Sequence, residues 1–158
     1  MSRPLSDLKE GDAAPDFELP SSTGKPVRLG SLKGRSVVLY FYPADDTPGC
    51  TSEACSFRDK MPTFEGLDAV VFGVSRDSVG SHRKFIEKYS LNFALLSDEG
   101  LEVHKLYGTW TLKKNYGKMY WGTERSTFVI DKKGRIKKVF RKVKVVGHEA
   151  EVLKALQA

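Results

Sequence analysis

Apolar runs and amphipathic stretches alternate along the chain, and each has the length of one secondary-structure element. Continuous runs of β-branched and aromatic residues, such as VVLYFY at residues 37–42, indicate strands that are buried on both faces. Apolar residues three and four positions apart, such as Phe85, Ile86 and Tyr89, indicate helices with one buried face. The predicted strands span residues 37–42, 69–74, 93–96, 126–131 and 135–140. The predicted helices span residues 50–64, 81–89, 99–107 and 148–156.

This order of elements predicts an α/β chain with a thioredoxin-like fold. A β-α-β-α start is followed by a hairpin, whose turn lies at residues 132–134, and then by a final helix. The strand and helix predicted within residues 93–107 form an insertion, and the residues before the first strand form an N-terminal extension. No repeat or long linker divides the chain, so we predict a single domain over residues 1–158.

The composition is that of a soluble globular protein. Of the 158 residues, 40% are hydrophobic and 29% are charged. Residues 1–20 lack the apolar run of a signal peptide, and no stretch approaches the roughly 20 apolar residues of a membrane span. We therefore expect a cytoplasmic protein with no membrane partner. In that compartment disulfides tend to be transient and catalytic rather than structural.

The net charge of +6 raises nucleic acid as an alternative partner. Much of the charge lies in two tracts, KKNYGK at residues 113–118 and KKGRIKKVFRKVK at residues 132–144. In the second tract, apolar and basic residues interleave as they do along a half-buried strand with one solvated face. We favour that interpretation and predict no nucleic-acid partner, since the chain carries no zinc-finger spacing or other nucleic-acid motif.

The two cysteines lie five residues apart in the stretch TPGCTSEAC, residues 47–55. The hydroxyl of Thr47 can cap a helix and Pro48 suits the first helical position, so Cys50 falls in the first helical turn. Free N–H groups and the helix dipole favour a thiolate there. The preceding strand also delivers Cys50 to a strand's carboxyl end, where open α/β sheets usually place their sites. The alternative is that Cys50 is simply a small buried apolar residue.

Cys55 lies on the same predicted helix as Cys50 but on a different face. Five residues of helix correspond to about 7.5 Å of rise and roughly 140° of rotation. The thiols therefore either never pair, or pair only after the helix unwinds. A structural zinc site needs four ligands, and His82, His104 and His148 lack ligand spacing. We interpret these histidines as ordinary surface or packing residues.

The stretch PADDTPGCTSEAC contains the Pro-x-x-x-Thr-x-x-Cys pattern of the peroxiredoxins as Pro43, Thr47 and Cys50. A second cysteine five residues later resembles the bacterioferritin-comigratory, or peroxiredoxin Q, subfamily. The resemblance covers nearly the whole chain, because GDAAPDFELP, VVLYFYP, NFALLSD and ERSTFVIDKKGRI each resemble a family segment. The last of these segments carries Arg125.

Three carboxylates lie close to Cys50 in sequence. Glu53, three residues after it, fits the subfamily pattern, but the pattern does not explain its role. Asp45 and Asp46 are interpreted as parts of a solvated turn before the helix.

The resemblance implies a thiol peroxidase that reduces hydrogen peroxide and organic hydroperoxides without a metal or organic cofactor. It implies that Cys50, as the thiolate, attacks the peroxide and becomes a sulfenic acid. It implies that the Thr47 hydroxyl lies beside the sulfur and that Pro43 restricts the access of water. It also implies that Arg125 stabilises the thiolate and the negative charge on the departing oxygen. Cys55 is implied as the resolving cysteine, whose intramolecular disulfide is reduced by thioredoxin or a similar dithiol protein. Because both thiols belong to one chain, we expect a monomer.

Two other functions fit parts of the sequence. A thioredoxin-like disulfide oxidoreductase usually places its thiols as Cys-x-x-Cys, and the spacing here is wider. A redox-regulated binding or holdase protein would show partner binding that depends on oxidation and little peroxide turnover. We rank both of these functions below the peroxidase.

Without the resemblance, Arg125 fits a solvated charge at a strand edge equally well.

Overall fold

The computed structural model describes residues 8–158, so residues 1–7 of the predicted domain lie outside the described residues. The strands are β1 (Glu18–Leu19), β2 (Val27–Arg28), β3 (Ser36–Phe41), β4 (Ala69–Ser75), β5 (Ala94–Ser97), β6 (Trp110–Asn115), β7 (Lys118–Thr123), β8 (Ser126–Ile130) and β9 (Ile136–Phe140). The helices are α1 (Pro48–Asp59), α2 (Met61–Gly66), α3 (Val79–Tyr89), α4 (Glu102–Leu106) and α5 (His148–Gln157). None of the helices in this described part is long and apolar enough to cross a membrane.

Five strands form one mixed sheet in the order β5-β4-β3-β8-β9. β3 pairs in parallel with β4, and β4 pairs in parallel with β5. β8 pairs antiparallel with both β3 and β9. Helices join the parallel strands, because parallel neighbours require a long crossover connection. The predicted thioredoxin-like α/β fold is confirmed, including the β8–β9 hairpin and the inserted β5 and α4.

The central strand β3 contributes side chains to both cores of the protein. Its even-numbered residues belong to the cluster that α1, α3 and α5 cover, and its odd-numbered residues belong to the cluster on the opposite face. On the first face, a Cβ at Gly73 would lie 2.8 Å from the hydroxyl of Tyr40, so only glycine leaves room for that ring. Tyr40 in turn stacks on Phe57, with ring centroids 4.8 Å apart. This stacking fixes the second half of α1 to the sheet.

The single helix predicted over residues 50–64 is two helices. α1 ends at Asp59 and α2 begins at Met61. Pro62 lies in the first turn of α2, where its missing N–H needs no acceptor. Inside one continuous helix the same proline would remove a hydrogen bond and clash with the preceding turn. The helix α4 is shorter than predicted, because Leu101 has a left-handed backbone (φ 64°) immediately before it.

Strands β6 and β7 form a separate antiparallel sheet that the sequence does not predict. Most of its residues are exposed on both faces, so it lacks the alternation of polar and apolar residues that identifies a half-buried strand. The basic tract at residues 113–118 belongs to this ribbon. The short pair β1 and β2 is also unpredicted, because two residues a strand are too few to form a pattern.

Candidate active site

Cys50 lies in the first turn of α1, just beyond the carboxyl end of β3. The chain enters the helix from Thr47, whose backbone is extended (φ −97°, ψ 153°), and Pro48 occupies the first turn. Cys50 is buried and its thiol is free. It therefore lies at the positive end of the helix dipole, a setting that favours a thiolate.

The prediction that the hydroxyl of Thr47 caps α1 is wrong. Oγ1 donates to the carbonyl oxygen of Ala44 over 2.9 Å, and within residues 8–158 no side-chain hydrogen bond caps the start of the helix. Threonine hydroxyls compete for local backbone acceptors in this way, and here the acceptor within the loop prevails. The same loop holds Pro43, which is half-buried. The proton of the Thr47 hydroxyl is thus engaged, while its oxygen can still accept a hydrogen bond.

Arg125 reaches the sulfur from a different part of the sheet. It directly precedes β8, whose first residue, Ser126, pairs with Phe41 at the end of β3. Its Nη2 donates to Sγ of Cys50 over 3.3 Å, and its Nη1 donates to Oε1 of Glu53 over 2.6 Å. The side chain is 17% exposed. The antiparallel register of β3 and β8 therefore brings together two residues that are 75 positions apart.

Glu53 lies one turn after Cys50 on α1, and its side chain is 1% exposed. Burial raises the pKa of Glu53 to about 7, although the charge and the hydrogen bond of Arg125 act to lower it. Its other oxygen, Oε2, finds no hydrogen-bond partner among residues 8–158. Glu53 therefore changes its charge near neutral pH, beside the cation that contacts the sulfur.

Two basic side chains, Arg125 and Lys113, lie near the sulfur. Burial acts to lower the pKa of Arg125, but the charges of Glu53 and Cys50 outweigh burial and raise this pKa. Lys113 of β6 also faces this region. Partial burial, and then the charge of Arg125, lower the pKa of Lys113, while Cys50 acts in the opposite direction. The β6–β7 ribbon therefore begins at the edge of the site.

Cys55, the second free thiol, is half-buried and lies on α1 as well. The two cysteines thus occupy one continuous helix, on faces roughly 140° apart. Five helical residues separate their Cα atoms by more than the roughly 7 Å that a disulfide spans. A disulfide between Cys50 and Cys55 is therefore excluded in this conformation.

A buried carboxylate holds the loop between β3 and α1. The side chain of Asp45 is 4% exposed and lies 2.8 Å from Nδ1 of His82. It also accepts hydrogen bonds from the hydroxyls of Tyr42 (2.5 Å) and Ser81 (2.8 Å). The prediction that Asp45 is solvated is wrong, whereas its neighbour Asp46 is exposed. Sequence alone carries no signal for this network, because its members come from separate elements.

The three histidines are buried, so of the two predicted alternatives, surface or packing, they are packing residues. His104 lies 2.6 Å from Oδ2 of Asp98, and His148 lies 2.7 Å from the hydroxyl of Thr127. Buried imidazoles retain their hydrogen bonds in this way, because an unpaired polar group in the core is costly. Within residues 8–158, no group of three or more His, Cys, Asp or Glu residues could hold a metal ion.

A buried thiol at a helix start, with an arginine on its sulfur and a second thiol nearby, defines a thiol-redox site on a thioredoxin fold. The AhpC/TSA family matches residues 10–139. Peroxiredoxin Bcp of Bacillus subtilis is 54% identical over 150 residues, which cover 95% of this chain and 96% of that protein. Peroxiredoxin Q of Xanthomonas campestris has a solved structure with a TM-score of 0.88 and 40% identity, covering 97% of both chains.

A second structure from Xanthomonas campestris concerns alkyl peroxide reduction by its bacterioferritin comigratory protein, with trapped intermediate and ligand complexes. It has a TM-score of 0.88 and 39% identity, and covers 96% of this chain and 97% of that one. The chain therefore belongs to the AhpC/TSA family, in its Bcp or peroxiredoxin Q group, and is a thiol-dependent peroxidase. The resemblance seen in the sequence is confirmed.

Proposed function

We propose that the chain reduces hydrogen peroxide and organic hydroperoxides at Cys50 and passes the oxidation to Cys55. The observation that carries this proposal is the contact of 3.3 Å between Nη2 of Arg125 and Sγ of the buried Cys50. A permanently charged donor at this distance favours the thiolate, which is the form of cysteine that attacks peroxides.

In the first step, the Cys50 thiolate attacks one oxygen of the hydroperoxide. A sulfur–oxygen bond forms and the oxygen–oxygen bond breaks, leaving a sulfenic acid and an alkoxide or hydroxide that takes a proton from solvent. Arg125 stabilises the negative charge that develops on the departing oxygen. Thr47, whose own proton is engaged by Ala44, accepts a hydrogen bond from the hydroperoxide. Pro43 restricts the access of water from the loop.

Glu53 orients Arg125. The guanidinium is planar, so the hydrogen bond from Nη1 to Glu53 sets the direction in which Nη2 points. Without this carboxylate the guanidinium would be free to rotate away from the sulfur. We therefore assign Glu53 as a positioning residue.

In the second step, the sulfenic acid at Cys50 condenses with the thiol of Cys55. The sulfur–oxygen bond breaks, a disulfide forms and one water molecule leaves. Because both residues lie on α1, part of this helix opens before they meet. Thioredoxin or a similar dithiol protein then reduces the disulfide by exchange and is itself oxidised. The sulfur atoms carry both electrons, so the cycle requires no metal or organic cofactor.

The whole cycle fits one domain over residues 1–158, acting as a monomer in the cytoplasm. Both thiols belong to the same chain, so no second copy has to supply a reacting group.

NADPH oxidation coupled through thioredoxin reductase and thioredoxin tests this proposal. We expect turnover of hydrogen peroxide and of an organic hydroperoxide by the wild-type chain, and none by Cys50→Ser, which has no thiol at the helix start. A single turnover without any reductant is measured as well. If hydroperoxide is lost there but not in the coupled assay, the peroxidase step is present and the reductant is the wrong one. A chain that consumes no hydroperoxide in either assay contradicts the proposal.

A further inference from the structure

The β6–β7 ribbon, residues 110–123, exposes large apolar side chains along its length. The exposed fractions are 50% for Leu112, 97% for Tyr116, 58% for Met119, 45% for Tyr120 and 58% for Trp121. Elsewhere in the described part of the chain, Val146 alone is a large apolar residue with comparable exposure. Single exposed apolar residues are ordinary, but five on one ribbon indicate a contact surface.

These side chains lie on both faces of the ribbon. Leu112 is paired with Trp121, and residues paired directly across two strands share a face. Tyr120 is one position further along the strand and so lies on the opposite face. An exposed apolar surface of this size marks a contact with either a protein or a membrane. The turn at the tip and the charge of the ribbon bear on which of the two it is.

The turn at the tip points to a membrane. Tyr116 (φ 50°) and Gly117 (φ 78°) both have left-handed backbones, as the two central residues of a type I′ hairpin turn do. Asparagine or glycine is preferred at the first of these positions, and a bulky side chain there is unfavourable. The tyrosine does not help the turn to form, and its ring is almost fully exposed. Tyrosine and tryptophan are enriched where membranes meet water.

The charge of the ribbon complements an anionic surface. Lys113, Lys114 and Lys118 lie within it, and residues 103–123 contain no aspartate or glutamate. Basic residues interleaved with aromatic and aliphatic side chains are attracted to anionic lipid headgroups. A two-stranded sheet has two edges with unpaired backbone groups, which cannot enter the hydrocarbon core. The ribbon is thus suited to the headgroup region and not to deeper insertion.

We propose that the β6–β7 ribbon docks this protein on the surface of membranes that contain anionic phospholipids. The ribbon leads directly into Arg125, so a docked membrane lies beside the peroxidase site. If the proposed function holds, hydroperoxides of the bound lipids become accessible to Cys50. The sequence predicts no membrane partner. That expectation rested on the absence of a spanning segment, which a peripheral ribbon does not need.

Vesicle cosedimentation tests the docking. We expect binding to vesicles of phosphatidylcholine with one-third phosphatidylserine, and binding at least about tenfold weaker to pure phosphatidylcholine. The double change Met119→Ser with Trp121→Ser removes exposed apolar area and is expected to lower the partition coefficient roughly tenfold. Val146→Ser is the matched apolar control and is expected to leave it unchanged. Lys118→Glu is expected to weaken binding more than Lys84→Glu, which makes the same change of charge on α3.

Two measurements keep the docking separate from the peroxidase assignment. Cys50→Ser is expected to bind vesicles as the wild type does, and the double apolar variant is expected to turn over hydrogen peroxide at the wild-type rate. Absence of a preference for anionic vesicles, or equal effects of the ribbon and control changes, overturns the proposal. If the ribbon variants keep vesicle binding but raise the KM for reduced thioredoxin, the ribbon binds the reductant and the membrane proposal is wrong.

Discussion

Nη1 of Arg125 lies 2.6 Å from Oε1 of Glu53, in an ion pair that joins α1 to the start of β8. The same guanidinium uses its other terminal nitrogen to contact the sulfur of Cys50. Both terminal nitrogens of the planar guanidinium therefore donate hydrogen bonds to residues of the same helix, α1. An ammonium group cannot reproduce this arrangement, because it is a compact point charge without a fixed fork.

Arg125→Lys is therefore expected to slow the oxidation of Cys50 even though the positive charge is kept. Loss of one donor aimed at the developing charge predicts a rate lower by roughly a hundredfold. The measurement is the rate of Cys50 oxidation in a single turnover, followed by quenching and mass spectrometry. Arg135→Lys, a change at the far end of the sheet, is the control and is expected to leave the rate unchanged. Equal rates for Arg125→Lys and the wild type contradict the role assigned to the planar guanidinium.

Glu53 makes the stability of the protein depend on pH. Its pKa is about 7 in the folded chain against an ordinary value of 4.5, so the fold favours the protonated carboxyl. That contribution to stability is complete below pH 4.5 and is lost as the pH rises through 7. Glu53→Gln stays neutral, so its free energy of unfolding is expected to match that of the wild type near pH 4.5. At pH 8 its free energy of unfolding should exceed that of the wild type by on the order of 3 kcal/mol.

The measurement is urea unfolding at pH 4.5 and at pH 8. It compares the wild type with Glu53→Gln and Glu65→Gln. Glu65 is exposed on α2, so its variant is expected to track the wild type at each pH. A difference between Glu53→Gln and the wild type that does not change with pH shows that Glu53 does not titrate in this range.

The contiguous part of the site could be predicted from the sequence, because Pro48 favours the first helical turn and so places Cys50 in it, although the hydroxyl of Thr47 does not cap the helix. The fold class was equally accessible, since buried strands and amphipathic helices differ in the period of their apolar residues. The approach of Arg125 depends on the register of β3 with β8, which no local pattern specifies. Only the resemblance to a family pointed to it.

Two features escaped prediction for different reasons. The burial of Asp45 depends on α3 reaching the loop before α1, and a lone aspartate in a loop ordinarily indicates solvent. The β6–β7 ribbon lacks a buried face, so no alternation of apolar residues marks its strands. In both cases the tertiary environment decides what the local sequence leaves open.

The network around Asp45 predicts a contrast with its neighbour. Asp45→Asn weakens three buried hydrogen bonds and is expected to lower the free energy of unfolding by about 1–3 kcal/mol. It is also expected to slow peroxide reduction, because the loop that carries Thr47 loses its anchor. Asp46→Asn removes an exposed pair with Lys88 and should leave the free energy of unfolding almost unchanged, because solvent screens such a pair. Urea unfolding and single-turnover rates measure both effects, and similar values for the two variants contradict the network's role.

Cys55→Ser separates the two chemical steps. This variant is expected to consume about one equivalent of peroxide for each Cys50, because the first step needs only one thiol. The sulfenic acid then persists, and the cycle driven by thioredoxin should largely fail. Peroxide loss and the mass of the product measure the first part, and coupled NADPH oxidation measures the second. An unimpaired cycle shows that Cys55 is incidental to resolution.

The helix α1 is expected to open at one end when the two thiols pair. Its buried face consists of Cys50, Glu53, Ala54 and Phe57, of which Phe57 alone is a large apolar residue. The ring of Phe57 stacks on the sheet, and Arg58 donates to the carbonyl oxygen of Tyr89 over 2.6 Å, so the second half of the helix is anchored. The first half is held by the contacts of Arg125 with Cys50 and Glu53 and has little apolar area, so it is the half that opens more readily.

Oxidation with peroxide is therefore expected to unwind the first half of α1 while the sheet stays folded. In hydrogen exchange, amides of residues 51–55 should lose protection by at least about tenfold in the disulfide form. Amides of β3 and of α3 serve as internal controls and should change little. Cys55→Ser, oxidised in the same way, cannot form the disulfide and should keep the helix protected. Equal protection of residues 51–55 in both forms, with the disulfide confirmed by mass, would mean that the thiols meet by a route other than the opening of α1.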